Sequence, residues 1–412
     1  MPVTPALDPD VLRRQDPELA DILRGELDRQ STTLQLSAAE NFASPAVLAA
    51  LGSPLANKYA EGYPGTRYHG GCALADAAEH LAAERARELF GAEHANVQPH
   101  TGSSAVLAAY AALLRPGDTV LALGLPDGGH LSHGSPAHLS GRWFDFVAYG
   151  LDPETGLVDH DEVRRLARAH RPKAVVCGSI AYSRHFDHAF FREVADEVGA
   201  CLIVDAAHPI GLVAGGAAPN PVPYADIVCA TTHKVLRGPR GGLLLCGRAL
   251  AGRVDRAVFP FTQGGAQMNV VAAKAAAFGE AATPAFAVYA HQVVANARVL
   301  AEHLAAEGFT VTTGGTDTHL ITVDPAPLGE DGRTARGLLA AAGLVLDCCP
   351  LPHTQERGLR LGTAAVTTQG MGEREMDRIA ALLAGVVRGD IAPGAARIEV
   401  RELTGAFSPY PA

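Results

Sequence analysis

Positive charge is in short supply in this sequence. The formal net charge is −10 and the isoelectric point about 5.9, a balance that disfavours binding to nucleic acid or to anionic membranes. No apolar run reaches transmembrane length. No basic-then-apolar signal opens the chain either; Met1 to Asp10 is instead Pro-rich and polar. The seven cysteines show no metal-type spacing, and their odd number argues against a closed disulfide framework. Cys177, Cys201, Cys229 and Cys246 lie in strand-like apolar runs and read as small core residues in a reducing cytoplasm. The adjacent Cys348 and Cys349 read as a reduced pair.

What is present is an ordinary globular composition, 48% hydrophobic and 19% charged over 412 residues, enough for two domains and a large core. Residues 16 to 30 have helical periodicity, with Leu19, Ile22, Leu23 and Leu27 on one face. Ser44-Pro45 reads as a capped helix start. Residues 57 to 71, dense in Gly, Tyr and Pro, read as an irregular loop. A strong helix is expected from Ala73 to Phe90. Apolar strands then alternate with helices: 119–123, 173–177, 202–205, 227–230 and 242–245. Such alternation predicts a mainly parallel sheet covered on both faces, with the active site at the strand C-terminal ends. Residues 285 to 306 read as a helix leading to further strands at 309–312, 319–323 and 358–361.

One stretch organises the rest: Cys229-Ala-Thr-Thr-His-Lys-Val-Leu-Arg-Gly-Pro-Arg-Gly-Gly242. A lysine between two buried segments is partly desolvated, which lowers its pKa and frees the amine to attack a carbonyl. Upstream, Cys201-Leu-Ile-Val-Asp-Ala-Ala-His208 is an apolar strand ending in acid and imidazole. Pyridoxal phosphate requires a lysine for its aldehyde and an acid for its pyridine nitrogen; Lys234 and Asp205 are placed to supply both. Thr101-Gly102-Ser103 precedes a helix, and its hydroxyls and backbone N–H groups suit a phosphate.

With these residues, the chain resembles the serine hydroxymethyltransferase family of pyridoxal-phosphate enzymes, of the aspartate-aminotransferase fold type. The resemblance runs in order through Leu36-Ser-Ala-Ala-Glu-Asn41, Asn57-Lys-Tyr-Ala-Glu-Gly-Tyr-Pro-Gly65, Gln98-Pro-His-Thr-Gly-Ser103 and Gly128-Gly-His-Leu-Ser-His-Gly134. It continues through Asp205, Lys234 and Gln263-Gly-Gly265 to Gly358-Leu-Arg-Leu-Gly362. It implies an α/β, fold type I transferase: a large domain with a mainly parallel seven-stranded sheet and a small α/β C-terminal domain. The boundaries expected are an arm over 1–35, a large cofactor domain over 36–283 and a small domain over 284–412.

The resemblance also implies roles. Lys234 would join the cofactor and Asp205 would partner its pyridine nitrogen, with His130 stacked on the ring and His208 and His233 beside it. Thr101, Gly102 and Ser103 would hold the phosphate. Tyr59, Gly264 and Gly265 would reach that phosphate from a neighbouring subunit, which implies a homodimer with shared sites, with a tetramer left open. The N-terminal arm would pack on that partner. Arg360 would clamp the substrate carboxylate, a task suited to its fork of donors. Glu61 would be the acid/base near the substrate hydroxyl. Tyr68, Leu125, Gly129 and Leu131 would face tetrahydrofolate, the co-substrate.

Several positions depart from the family pattern. Ala39 stands for a Ser, His69 for a Tyr, Ile180 for a Ser, Val235 for a Thr, Asn269 for a His and Gln369 for an Arg. Asp347-Cys348-Cys349 stands for an Asn-Lys-Asn segment that contacts the pterin. The expected activity is hydroxymethyl transfer that makes or breaks the Cα–Cβ bond of a β-hydroxy amino acid. The substrate is serine/glycine or an α-substituted pair such as α-methylserine/alanine. A folate-independent threonine-type aldolase or transaldolase is the alternative.

Overall fold

A computed structural model describes residues 9–410; most of the Pro-rich start, residues 1–8, lies outside the described residues. A seven-stranded sheet forms the centre. Its strands are β1 (His94–Asn96), β2 (Thr119–Leu123), β3 (Asp145–Tyr149), β4 (Ala174–Cys177), β5 (Cys201–Asp205), β6 (Ile227–Thr231) and β7 (Gly242–Cys246), in the spatial order β1-β7-β6-β5-β4-β2-β3. β2 to β6 run parallel, whereas β7 is antiparallel to both its neighbours, β6 and β1. The sheet is therefore mixed but mostly parallel. The exception has a simple cause. Parallel neighbours need a crossover of a dozen or more residues, and only the loop 232–241 joins β6 to β7. The loop that carries Lys234 is thus a turn between antiparallel strands.

Two of these strands were not among those expected from the sequence. β1 and β3 are the sheet edges; β1 is three residues long, and only Tyr149 of β3 is fully buried. Edge strands need no continuous apolar run: β1 (His-Ala-Asn) carries none, whereas β3 has a short one, Phe146-Val-Ala-Tyr149. Among the inner strands, every residue of β6 and of β7 is buried.

Helices cover both faces. One face packs against a core that includes Phe90, Phe191 and Phe278; the other packs against α1 (Gly102–Leu113), where Val106 and Tyr110 share a core with Val120 and Ile203. The expected helix over Ala73–Phe90 is present and stops at Gly91, whose φ of 69° ends it in the left-handed region. Ser44 caps the helix Pro45–Leu51 by accepting from Val47 N at 3.2 Å.

After α2 (Met268–Ala281) and α3 (Pro284–Ala306), the chain builds a second sheet of β8 (Thr310–Val311), β9 (Leu320–Asp324), β10 (Asp347–Pro350) and β11 (Arg357–Gly362). It is fully antiparallel in the order β10-β11-β9-β8. Cys348 and Cys349 belong to β10, and all seven cysteines are free. Leu34 and Leu36 are buried in the core of this C-terminal part, and Leu34–Gln35 pairs in parallel with Leu344–Val345. The helix expected over 16–30 spans Pro17–Thr32, but none of its residues is buried within the chain; Leu19, Ile22, Leu23 and Leu27 all stand exposed.

Candidate active site

The C-terminal ends of β5 and β6, the start of α1 and strands β10 and β11 enclose a cavity of about 560 Å³. Its lining includes Lys234, Asp205, His130, His208, His233, Thr101, Gly102, Ser103 and Arg360. The sequence scatters these residues over 260 positions; the parallel sheet gathers them because its strands end at one edge.

Lys234 is 8% exposed. Burial lowers its pKa to about 8, with Asp205 opposing the shift. Its backbone is held too: Asn41 Nδ2 donates to Lys234 O at 3.0 Å, and Tyr289 Oη donates to Val235 O at 3.2 Å. Arg237, at a φ of 58°, closes the turn with its guanidinium 4.3 Å over the Tyr289 ring.

Asp205 stays charged despite burial. Burial is the largest single influence and opposes its charge, but the hydrogen bond from His133, the nearby His133 and His130 imidazoles and the hydrogen bond from Ala207 together outweigh it, and its pKa falls to about 2. His133 Nε2 lies 2.9 Å from Asp205 Oδ2, and Ala207 N donates to Oδ1 at 3.0 Å. Behind His133, Tyr110 Oη sits 2.6 Å from its Nδ1. With Nε2 protonated toward Asp205, Tyr110 donates to Nδ1, so the buried trio fixes the His133 tautomer.

His130 is neutral at physiological pH: burial, foremost, pushes its pKa down to about 4. Ser132 N donates to its Nδ1 at 3.2 Å, which leaves Nε2 as the protonated nitrogen. Burial likewise lowers His233 to about 3, and its Nδ1 is buried without a hydrogen-bond partner. His208 and His319 stack, with Nδ1 of the former 3.2 Å from Nε2 of the latter.

The start of α1 is built to receive an anion. Thr101 caps it, accepting from Ser104 N at 3.1 Å, and Ser104 Oγ lies 2.9 Å from Thr101 N. A Cβ on Gly102 would lie 2.5 Å from Thr231 Cγ2, so the helix end approaches β6 only because this residue is glycine. Behind the cradle sits Lys274 of α2, buried, with its Nζ donating to Val97 O at 2.7 Å, Gly242 O at 2.8 Å and Pro99 O at 3.0 Å. Three carbonyls match the three N–H bonds of an ammonium. They tie the segment before Thr101 to the start of β7.

The lining fits pyridoxal phosphate on the chemistry of its donors. It offers a lysine of lowered pKa, a charged acid, an anion cradle and an orphaned buried imidazole nitrogen, with room for a ring between them. A buried lysine near a charged aspartate at the strand ends of an α/β sheet fits a pyridoxal-phosphate-dependent enzyme. The family follows from comparison: a model of the serine hydroxymethyltransferase family matches residues 12–383. The chain belongs to that family of pyridoxal-phosphate-dependent hydroxymethyl transferases.

The remaining expected site residues do not line the cavity. Tyr59, Glu61, Tyr68, His69, Gly264 and Gly265 form a second group beside it. His69 Nε2 is 3.1 Å from Glu61 Oε2, and the Tyr59 and His69 rings meet edge-on at 4.8 Å. A Cβ on Gly265 would lie 3.3 Å from Glu61 Cγ. The two groups touch at His100, a lining residue whose Nε2 lies 3.1 Å from Gly265 O. Tyr59 and Tyr68 are 59% and 77% exposed. Leu125, Gly129 and Leu131 lie in the loop after β2, also outside the lining, with Leu131 exposed.

The positions that depart from the family separate in the same way. Ala39, Ile180 and Asp347 line the cavity, and His69 pairs with Glu61. Asn269 and Gln369 act elsewhere, donating to Leu51 O and Phe407 O at 2.8 Å each. The sequence reading assigned no role to Tyr110, His133, Lys274 or Tyr289. Of these only His133 carries a signal, its place three residues after His130.

Proposed function

We propose that the chain is a tetrahydrofolate-using hydroxymethyltransferase acting on serine and glycine, or on an α-substituted pair such as α-methylserine and alanine. The observation that carries this reading is the buried Lys234 beside charged Asp205 in a cavity that also holds an anion cradle and Arg360. When bound, pyridoxal phosphate supplies the electron sink for breaking a bond at the substrate α-carbon. Lys234 and the start of α1 would hold the cofactor at its two ends. Asp205, kept ionised by His133, would hold a proton on the pyridine nitrogen. His130, neutral and with Nε2 protonated, would lie against the ring. Arg360 would orient the amino acid by its carboxylate, and Glu61 would move the proton on the β-hydroxyl.

For that last step Glu61 must come from elsewhere, since its own chain places it outside the cavity. A homodimer with shared sites supplies it. The exposed apolar residues support such a partner: Tyr59 and Tyr68 in the loop, Phe261 against Trp143, and the face of Pro17–Thr32. The division into an arm, a large domain and a small domain accords with two sheets, each with its own core. Seven free cysteines suit a reducing cytoplasm. Among the described residues no helix is long and apolar enough to cross a membrane.

The test is an absorbance titration of the cofactor-loaded protein with glycine, L-alanine, D-alanine, L-serine and L-threonine, with and without tetrahydrofolate. A folate-enhanced long-wavelength band with glycine supports serine/glycine exchange, and the same response with alanine supports the α-substituted pair. Aldehyde release from threonine, indifferent to folate, would replace this reading with the aldolase or transaldolase.

A further inference from the structure

The cavity carries a carboxylate of its own where a ligand carboxylate would dock. Arg360 enters from β11, and Asp347 from β10, its direct partner in the antiparallel register. Arg360 Nη2 donates to Asp347 Oδ2 at 2.7 Å, and Nη1 donates to Ile180 O at 2.8 Å. Arg360 Nε is buried without a partner. Ser37 Oγ donates to the same Asp347 oxygen at 2.7 Å, so two donors hold the carboxylate in place. A guanidinium grips a carboxylate best through two parallel N–H bonds. Nη2 carries two N–H bonds and spends one on Asp347, while Nε beside it has no partner. An incoming carboxylate must therefore share Arg360 with a like charge or turn it away, and like charges brought together in a partly dry site repel strongly.

We propose that Asp347 is a specificity-determining residue: it occupies Arg360 as an internal carboxylate, so an amino acid binds by displacing it. This rests on the reading of Arg360 as the carboxylate site. The free acid group then contributes less to affinity than an unopposed arginine would allow. Choice among amino acids passes to the rest of the cavity, where Ala39 and Ile180 present apolar surface.

The experiment uses the cofactor-loaded protein and its Asp347→Asn and Asp347→Ala variants. Each is titrated, by calorimetry and by cofactor absorbance, with glycine, L-serine and L-alanine and with the corresponding amides. Both variants are expected to bind the free acids about tenfold tighter or more, with amide binding within about twofold of the parent. Unchanged or weaker acid binding in the variants, with the parent binding normally, overturns the role of Asp347 and leaves the proposed function standing. An equal gain for acids and amides overturns it too, since that reports a loosened cavity. If no protein binds any free acid, the role of Asp347 and the reading of Arg360 fall together.

Discussion

Lys234 and Glu61 stand in regions that the fold treats in opposite ways. Around Lys234 the functional groups are buried and held: Asp205 by His133, His133 by Tyr110, and the Lys234 turn by Asn41 and Tyr289. Around Glu61 the backbone is held, Glu61 pairs with a half-exposed His69, and the tyrosines beside them are exposed. Arg67, itself buried, pairs with Asp76 at 2.8 Å and Glu79 at 2.6 Å and donates to Ala60 O and Gly62 O. That fixes the loop, yet Tyr59 and Tyr68 still point into solvent. Burial within one chain tunes the lysine and its acid, whereas the group around Glu61 is left largely open to solvent.

The sharpest way to break this comparison is to disable each region in a different copy. Lys234→Ala is expected to lose about a thousandfold or more in turnover, and Glu61→Gln about a hundredfold to ten-thousandfold. If each site draws on two chains, mixing and re-annealing the two inactive variants restores about a quarter of the parent activity, because half the dimers are mixed and each has one intact site. No recovery on mixing would place both regions in one chain's site.

A smaller but clear effect is expected at Lys274→Met. It leaves three buried carbonyls without their donor and should cost about 3 kcal/mol or more in urea unfolding. Cofactor affinity, measured by absorbance, should fall with it. An unchanged affinity would show that the cradle stands without this tie.

The buried region should also make the protein acid-sensitive. Burial holds His130 and His188 at about 4 and His233 and His319 at about 3. Their unfolded values lie near 6.5, so between about 6.5 and the folded value the unfolded state binds more protons. Stability is therefore lost as pH falls through that window, by up to about 1.4 kcal/mol per pH unit for each histidine. Melting temperatures should change little from pH 7.5 to about 6.5 and then fall steadily toward pH 5, and His319→Asn should flatten that slope. The mildest test is Thr101→Ala, which removes the α1 cap. It should cost about 1 kcal/mol in unfolding free energy and speed cofactor release.

Much of the buried region was legible because its signals are local. Apolar runs mark β5 and β6, each ending at a residue of chemical character, and the loop to β7 announces Lys234 by its Thr-Thr-His and glycine flanks. β1 was not legible, since its three residues carry no apolar pattern, and the short run Phe146-Val-Ala-Tyr149 of β3 was left unassigned. Lys274 was hidden for another reason. A lysine in an Ala-rich helix looks like any solvated helix residue, and only the packing of α2 against the segments around Val97 and Gly242 shows that its amine is enclosed.

The sequence by itself determined the fold class, the strand ends that carry chemistry and the family, because these follow from periodicity and from motifs in fixed order. Tertiary structure alone decided which of those residues meet. It brought Lys234, Asp205, His130 and Arg360 to one cavity and left Glu61, Tyr59 and Gly265 beside it. It also set Asp347 on Arg360, because antiparallel register, not sequence spacing, chooses the partner across a strand pair.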